Sequence, residues 1–180
     1  MTSSKPRAIV IHPHEVLREK CLPMEAVSAE TREIAAELRA SLSATPGIGL
    51  AAPQIGIPRR MILLRCDPKT KAGGGLVMID PVIVATYGDP VPMMEGCLSI
   101  PGRRVAVFRP EKVAVEYLSE TGRRRRLDME GLAAKCVQHE VDHLDGILIL
   151  DRAAPQAPEL PEETMGLTAA ATAAHLSISR

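Results

Sequence analysis

DMEGLAAKCVQHEVDHLDG, residues 128–146, reads as a helix from about Glu130 to Leu144, closed by Gly146, since glycine suits the left-handed position that follows a helix C-terminus. It carries His139 and His143 four residues apart. On an α-helix that spacing puts both imidazoles on one face, a turn apart, where they converge on one cation. Glu140 projects about 100° away from His139. Its carboxylate therefore belongs beside such a cation rather than on it, the position of a general base. Two histidines do not complete a metal site, so the source of a third ligand decides both the chemistry and what must pack around this helix.

Three routes to that ligand differ in what they ask of the chain. In the metzincin pattern a third histidine follows as His-x-x-Gly-x-x-His; Gly146 fits, but position 149 is Ile. In the simple zincins a downstream Glu completes the site. Here Glu159, Glu162 and Glu163 fall in a Pro-broken segment, a poor platform for a rigid site. The third route is a cysteine. Cys136 shares the histidine face, yet it lies seven residues, roughly 10 Å along the axis, from His143, and reads as a small buried residue. Cys21 and Cys66 have no distinctive surroundings. Cys97 does: it stands in PMMEGCLSIPG, where Gly96 permits close backbone approach and Pro101-Gly102 forces a bend.

Outward from the helix, MILLRC, LVMI, VIVATY, RVAVF and KVAVEYL are short runs rich in β-branched residues, separated by Gly, Pro and Asp, and are expected as strands. KVAVEYLSETGRRRRLD reads as a hairpin turning at Glu120-Thr121-Gly122, with Val113, Val115 and Tyr117 on one face. The four arginines 123–126 then alternate between faces of a solvated strand, which disperses their charge and argues against a nucleic-acid patch. Before the strands, SAETREIAAELRASLSA (28–44) sets Ile34, Leu38 and Leu42 at helical spacing behind a Ser cap, and Pro46 and Gly47 end it. The fold class is α+β: mixed or antiparallel strands packed around a central metal-binding helix, with an N-terminal helix. One catalytic domain is expected over residues 1–154, and 155–180 reads as a Pro/Ala-rich tail.

The chain has 180 residues, room for one domain with a buried core. Lys and Arg number 22, as do Asp and Glu, so net charge points to no nucleic-acid partner and no charged membrane surface. With three aromatic residues, Tyr87, Phe108 and Tyr117, the core must come from Val, Ile, Leu, Met and Ala. No apolar run approaches the roughly 20 residues of a membrane span. Four cysteines without a CxxC pair and no signal-peptide-like start suggest a reducing, cytoplasmic setting, and with no leftover apolar stripe a monomer is expected.

Three separated motifs, GIGLAAPQIG (47–56), EGCLSIPG (95–102) and QHEVDHLDG (138–146), in this order and spacing, resemble those of the peptide deformylases. The resemblance runs from about Ile9 to Asp151. It implies that Cys97, His139 and His143 hold a divalent metal, Fe(II) in the cell, with Zn, Ni or Co also able to occupy the site, and that a fourth position stays open to water. The implied reaction hydrolyses the formyl group of N-formylmethionine on nascent polypeptides, in the course of protein biosynthesis, and releases formate.

In that scheme Glu140 is the general base, while the Gln54 amide and the Leu98 backbone N–H stabilise the developing oxyanion. Ile48, Gly49 and Gly96 meet the substrate as an added strand. Leu132 and Cys136, with Ile48 and His139, line the pocket for its methionine. Lys135, one turn before His139, stands where relatives carry either an aliphatic residue or a base, and so bears on side-chain preference. Residues 155–180 contain three Glu and a single Arg, which argues against docking on the ribosome through the tail. A zincin-like peptidase and a closed, non-catalytic metal site are the competing readings. Glu140 and Gln54 discriminate, since a structural site needs neither a base nor an oxyanion donor.

Overall fold

In the computed structural model, which describes residues 4–66 and 74–154, five antiparallel strands lie in the order β1 to β5 around one central helix. Helix α1 (Ala29–Ser43) begins at Ser28, whose hydroxyl accepts the Thr31 backbone N–H at 3.2 Å while Thr31 Oγ1 accepts the Ser28 N–H at 3.0 Å. Ile34, Leu38 and Leu42 are buried, as the spacing predicts. They pack with Leu50, Met61, Leu63 and Val77 of the first strands.

Strand β1 (Gly49–Ala51) pairs with β2 (Met61–Leu64), and β2 with the first residues of β3 (Leu76–Cys97). Strand β4 (Ile100–Leu118) returns along β3 and then pairs with β5 (Arg124–Glu130). The hairpin turns where expected, with Gly122 at φ 77°. Arg124, Arg125 and Arg126 lie exposed on the outermost strand.

Here the structure departs from the sequence expectation. LVMI and VIVATY are not separate strands but parts of one 22-residue strand, and RVAVF and KVAVEYL merge into one of 19. By composition Gly, Pro and Asp mark strand ends. In the fold they sit at register shifts, between Ile79 and Val82 and between Tyr87 and Pro90, which bend the strand without ending it. At the first bend Asp80 adopts φ 48°, and its carboxylate accepts the backbone N–H groups of Met24 and Glu25 at 2.8 and 2.9 Å. The bent ribbon carries its far end, Glu95–Cys97, over the central helix.

That helix, α2 (Gly131–Leu144), is buried on nearly every side. Ala134, Val137, Val141 and Leu144 face the sheet in the main core. Gln138 donates to the Pro110 carbonyl at 3.1 Å and Lys135 to that of Arg109 at 2.5 Å, so a second face grips the ribbon through polar groups. The third face carries the histidines. After Asp145 the chain turns at Gly146, φ 72°, where an added Cβ would meet the Arg18 carbonyl oxygen at 2.4 Å. A short helix, α3 (Ile149–Arg152), closes the described chain with Leu148 and Ile149 buried in a third cluster. No described helix is long and apolar enough to cross a membrane. The predicted tail lies outside the described residues.

Candidate metal centre

Cys97 ends β3 at the tight turn into β4, directly over the histidine face of α2. One ligand atom from each of Cys97, His139 and His143 lies within 4.8 Å of the others, the only such grouping of three among the described residues. Cys97 Sγ stands 3.2 Å from His143 Nε2, and the two imidazoles meet edge to face with centroids 5.0 Å apart. One thiol and two imidazoles form a donor set that suits a divalent transition metal, and three protein ligands leave a coordination position for exchange. The residues fit such an ion.

A chain of charges behind His139 fixes it. His139 Nδ1 is 2.9 Å from Glu95 Oε2, which leaves Nε2 for the centre. Glu95 accepts from Arg109 Nη2 at 3.0 Å. Arg109 Nη1 reaches Asp142 at 2.8 Å, and Asp142 accepts from Arg152 at 2.8 Å. Burial works against the Glu95 carboxylate, but the bonds from His139 and Arg109 prevail and hold its pKa below the ordinary value. Burial also opposes a charge on His139; contacts with Cys97 and Glu95 outweigh it and push its pKa up to about 10. His143 Nδ1 has no hydrogen-bond partner, and burial, with the charges of His139 and Arg109, keeps its pKa well below the ordinary value.

Glu140 is 4% exposed, and its Oε2 has no hydrogen-bond partner. Burial is the main cause that pushes its carboxyl up to about 7, partly opposed by His139. The place for this side chain exists because residue 49 is glycine: a Cβ there would lie 2.3 Å from Glu140 Oε1 and 2.7 Å from Cys136 Sγ. Gln54 is buried and oriented by its neighbours. Its Oε1 accepts the Ala51 backbone N–H at 2.9 Å, so its NH₂ must face the other way, 3.2 Å from Ser99 Oγ and 3.6 Å from Cys97 Sγ. Leu98 lies in the β3–β4 turn beside it.

These groups border a cavity of about 520 Å³, and every residue assigned from sequence except His143 lines it. Ile48 and Leu132 are half exposed, at the rim, and Gly96 lies on the exposed ribbon. Lys135 also lines the cavity, but its amino group is turned to the carbonyls of Val91 and Arg109. Cys136 stands apart from the three converging ligand atoms. Its thiol lies 3.8 Å from the Ile48 carbonyl and in hydrogen-bond contact with Cys66, a residue whose surroundings looked ordinary in the sequence.

Sequence reasoning missed Glu95, Asp142, Arg109 and Ser99. Two of these had a signal, an acid just before Gly96-Cys97 and an acid between the histidines. Arg109, on a different strand, had none.

A family model described as polypeptide deformylase matches residues 6–159. The chain is 41% identical over 138 residues to a peptide deformylase of Picosynechococcus sp., covering 77% of this chain and 74% of that protein. Among solved structures it is similar to a peptide deformylase from Synechococcus elongatus in complex with actinonin, with TM-score 0.78, 38% identity, and 87% and 85% of the two chains covered. A class I type b peptide deformylase from Acinetobacter baumannii, bound to Met-Ala-Ser, gives TM-score 0.75 at 32% identity over 83% of this chain and 99% of that one.

Proposed function

This chain belongs to the polypeptide deformylase family, and from that premise we propose how its own residues remove the formyl group from the N-terminus of nascent polypeptides. The enzyme is a metal-dependent hydrolase, and the observation that carries the residue assignment is a three-ligand centre flanked by a buried, unpartnered Glu140 oxygen and a buried Gln54 amide whose NH₂ faces Cys97. Cys97, His139 and His143 hold the metal, Fe(II) in the cell. When bound, the metal supplies the Lewis acidity that makes water ionisable near neutral pH.

Glu140 accepts the proton of the attacking water at the oxygen that has no other partner, then delivers it to the departing amine. Formamide and water thus become formate and a free amine, with the proton returned. The Gln54 NH₂ and the Leu98 backbone N–H donate to the formyl oxygen as its charge develops. Because Ala51 already occupies Gln54 Oε1, the amide is oriented before substrate arrives.

On the side away from β4, β3 pairs with β2 only through Leu76–Ile79, so around Gly96 the ribbon has an open edge among the described residues. A formylated peptide adds there as a strand, between Gly96 and Ile48, and places its first side chain in the cavity among Leu132, Cys136 and His139. Gly49 contributes by passing close enough to leave Glu140 in place. In this reading the enzyme acts as a monomer on nascent chains near the ribosome without docking through residues 155–180.

The test is formate release from formyl-Met-Ala-Ser by anaerobically purified protein, with metal content measured on the same sample. Formate should rise in proportion to metal content. A fully metallated protein that releases no formate would overturn this reading and leave a structural metal site. Cys97→Ala should lose the metal and Cys136→Ala should retain it; the reverse result removes Cys97 from the ligand set.

A further inference from the structure

Cys136 and Cys66 come from different elements and meet behind the cavity, whose lining includes Cys136 and leaves out Cys66. Cys136 is buried on α2, and Cys66, two residues beyond β2, is partly exposed. Both segments converge on one atom: the Ile48 carbonyl accepts the Arg65 backbone N–H at 2.7 Å and faces the Cys136 thiol at 3.8 Å. Cys66 packs against the core cluster that contains Cys136. The two thiols are in hydrogen-bond contact, and that contact, together with burial, raises the Cys136 pKa well above its ordinary value. The buried Cys136 thiol is therefore shielded from solutes and can attack only its neighbour, while its partly exposed partner is the one a solute reaches.

We propose that Cys66 and Cys136 are a redox pair, joined by thiol–disulfide exchange with an oxidised low-molecular-weight thiol, and that the joined pair impairs substrate binding in the cavity that Cys136 lines. The Cys66 thiolate attacks the small disulfide RSSR, forming a mixed disulfide and expelling RS⁻. The Cys136 sulfur then displaces the second RS⁻ from Cys66. Two protein thiols and one RSSR become one protein disulfide and two RSH, so electrons and protons balance. To close the bond the sulfurs move from contact distance to about 2 Å. Cys136 then leaves the Ile48 carbonyl, next to the point where β1 already grazes its sulfur at Gly49. The effect falls on binding rather than on the reacting groups, because Cys136 is not among the three converging ligand atoms.

The kinetic half rests on the deformylase reading, whereas the bond itself is read by mass. Metal-loaded protein is titrated anaerobically with oxidised glutathione, then alkylated and digested, and assayed on formyl-Met-Ala-Ser. The expected result is loss of two hydrogens, a cross-linked peptide pair containing Cys66 and Cys136, a roughly tenfold rise in KM with kcat little changed, the scale of one misplaced contact in an apolar pocket, and full reversal by dithiothreitol. Cys66→Ser, which lies outside the cavity lining, should keep untreated kinetics and lose the oxidant response. The proposal fails if both cysteines of the wild type remain alkylatable, if a glutathione adduct on Cys66 persists without the cross-link, or if the cross-link forms with KM unchanged. It also fails if Cys66→Ser responds to oxidant as the wild type does, which would place the effect at Cys97. Cross-link mapping on the wild type decides the bond even where that variant does not fold.

Discussion

Glu140 and Gly49 depend on each other. A carboxylate with an unpartnered buried oxygen is costly to keep, and the approach of β1 that encloses it leaves no room for a Cβ at position 49. Glu140→Gln keeps shape and ligands but removes the proton acceptor. Metal content should stay at the wild-type level while kcat falls by about 10²–10⁴; parallel loss of metal would show the residue to be structural. Gly49→Ala should push Glu140 and Cys136 aside, reducing kcat/KM by about tenfold or more through misplacement, at a stability cost of about 1–3 kcal/mol. Gly122→Ala, in the β4–β5 hairpin turn, is the contrast. It has φ 77° but nothing within 4 Å of the added Cβ and lies outside the cavity lining, so a comparable strain should lower the melting temperature and leave activity intact.

At the scale of elements, α2 does three jobs with three faces, and the ribbon of β3 and β4 is its counterpart. Arg109 of β4 is the tie, bonded at once to Glu95 on β3 and Asp142 on α2. All three are buried, so removing the cation strands two carboxylates away from water. Arg109→Met should destabilise the fold by about 3–5 kcal/mol in urea denaturation. Glu95→Gln keeps an oxygen near His139 but no charge, and should weaken metal affinity about 10–100-fold with a smaller loss of stability. Equal loss of stability in both variants would mean that Glu95 serves the fold rather than His139.

The helix, its histidines and its Gly146 stop were legible because helical period and capping are local properties. The strand runs were legible as β structure, but their joining was not. Whether a Pro or Gly ends a strand or bends it depends on the partner strand across the ladder, which local composition does not specify.

For the whole molecule, Cys21 reports how tightly the sheet and helix close. It packs in the main core, and burial pushes its thiol up to about 12 from an ordinary 9.0. A raised folded pKa means the thiol contributes fully to stability below pH 9.0 and loses that contribution as pH climbs from there toward 12. The slope from this one group is at most about 1.4 kcal/mol per pH unit. Cys21→Ala should be less stable at neutral pH yet show a shallower alkaline decline, measured as urea midpoints through that window. Among the described residues the three core clusters draw on 9–153, and the family match ends at 159. A chain ended after Glu159 should therefore release formate at the wild-type rate with an unchanged melting temperature.

By itself the sequence determined the fold class and the family, and it supplied the residues proposed for the centre, because those are carried by local period and by motifs with fixed internal spacing. It also separated Cys97 from Cys136 as candidate ligand, since seven residues of helix put a fixed distance between Cys136 and His143. Only the tertiary structure decided what surrounds them. The Glu95–Arg109–Asp142 tie, the glycine that makes room for Glu140, the Ala51 bond that turns Gln54, and the meeting of Cys66 with Cys136 each join residues from different elements. Such contacts come from how a bent ribbon crosses a buried helix, and no local propensity of the chain encodes that crossing.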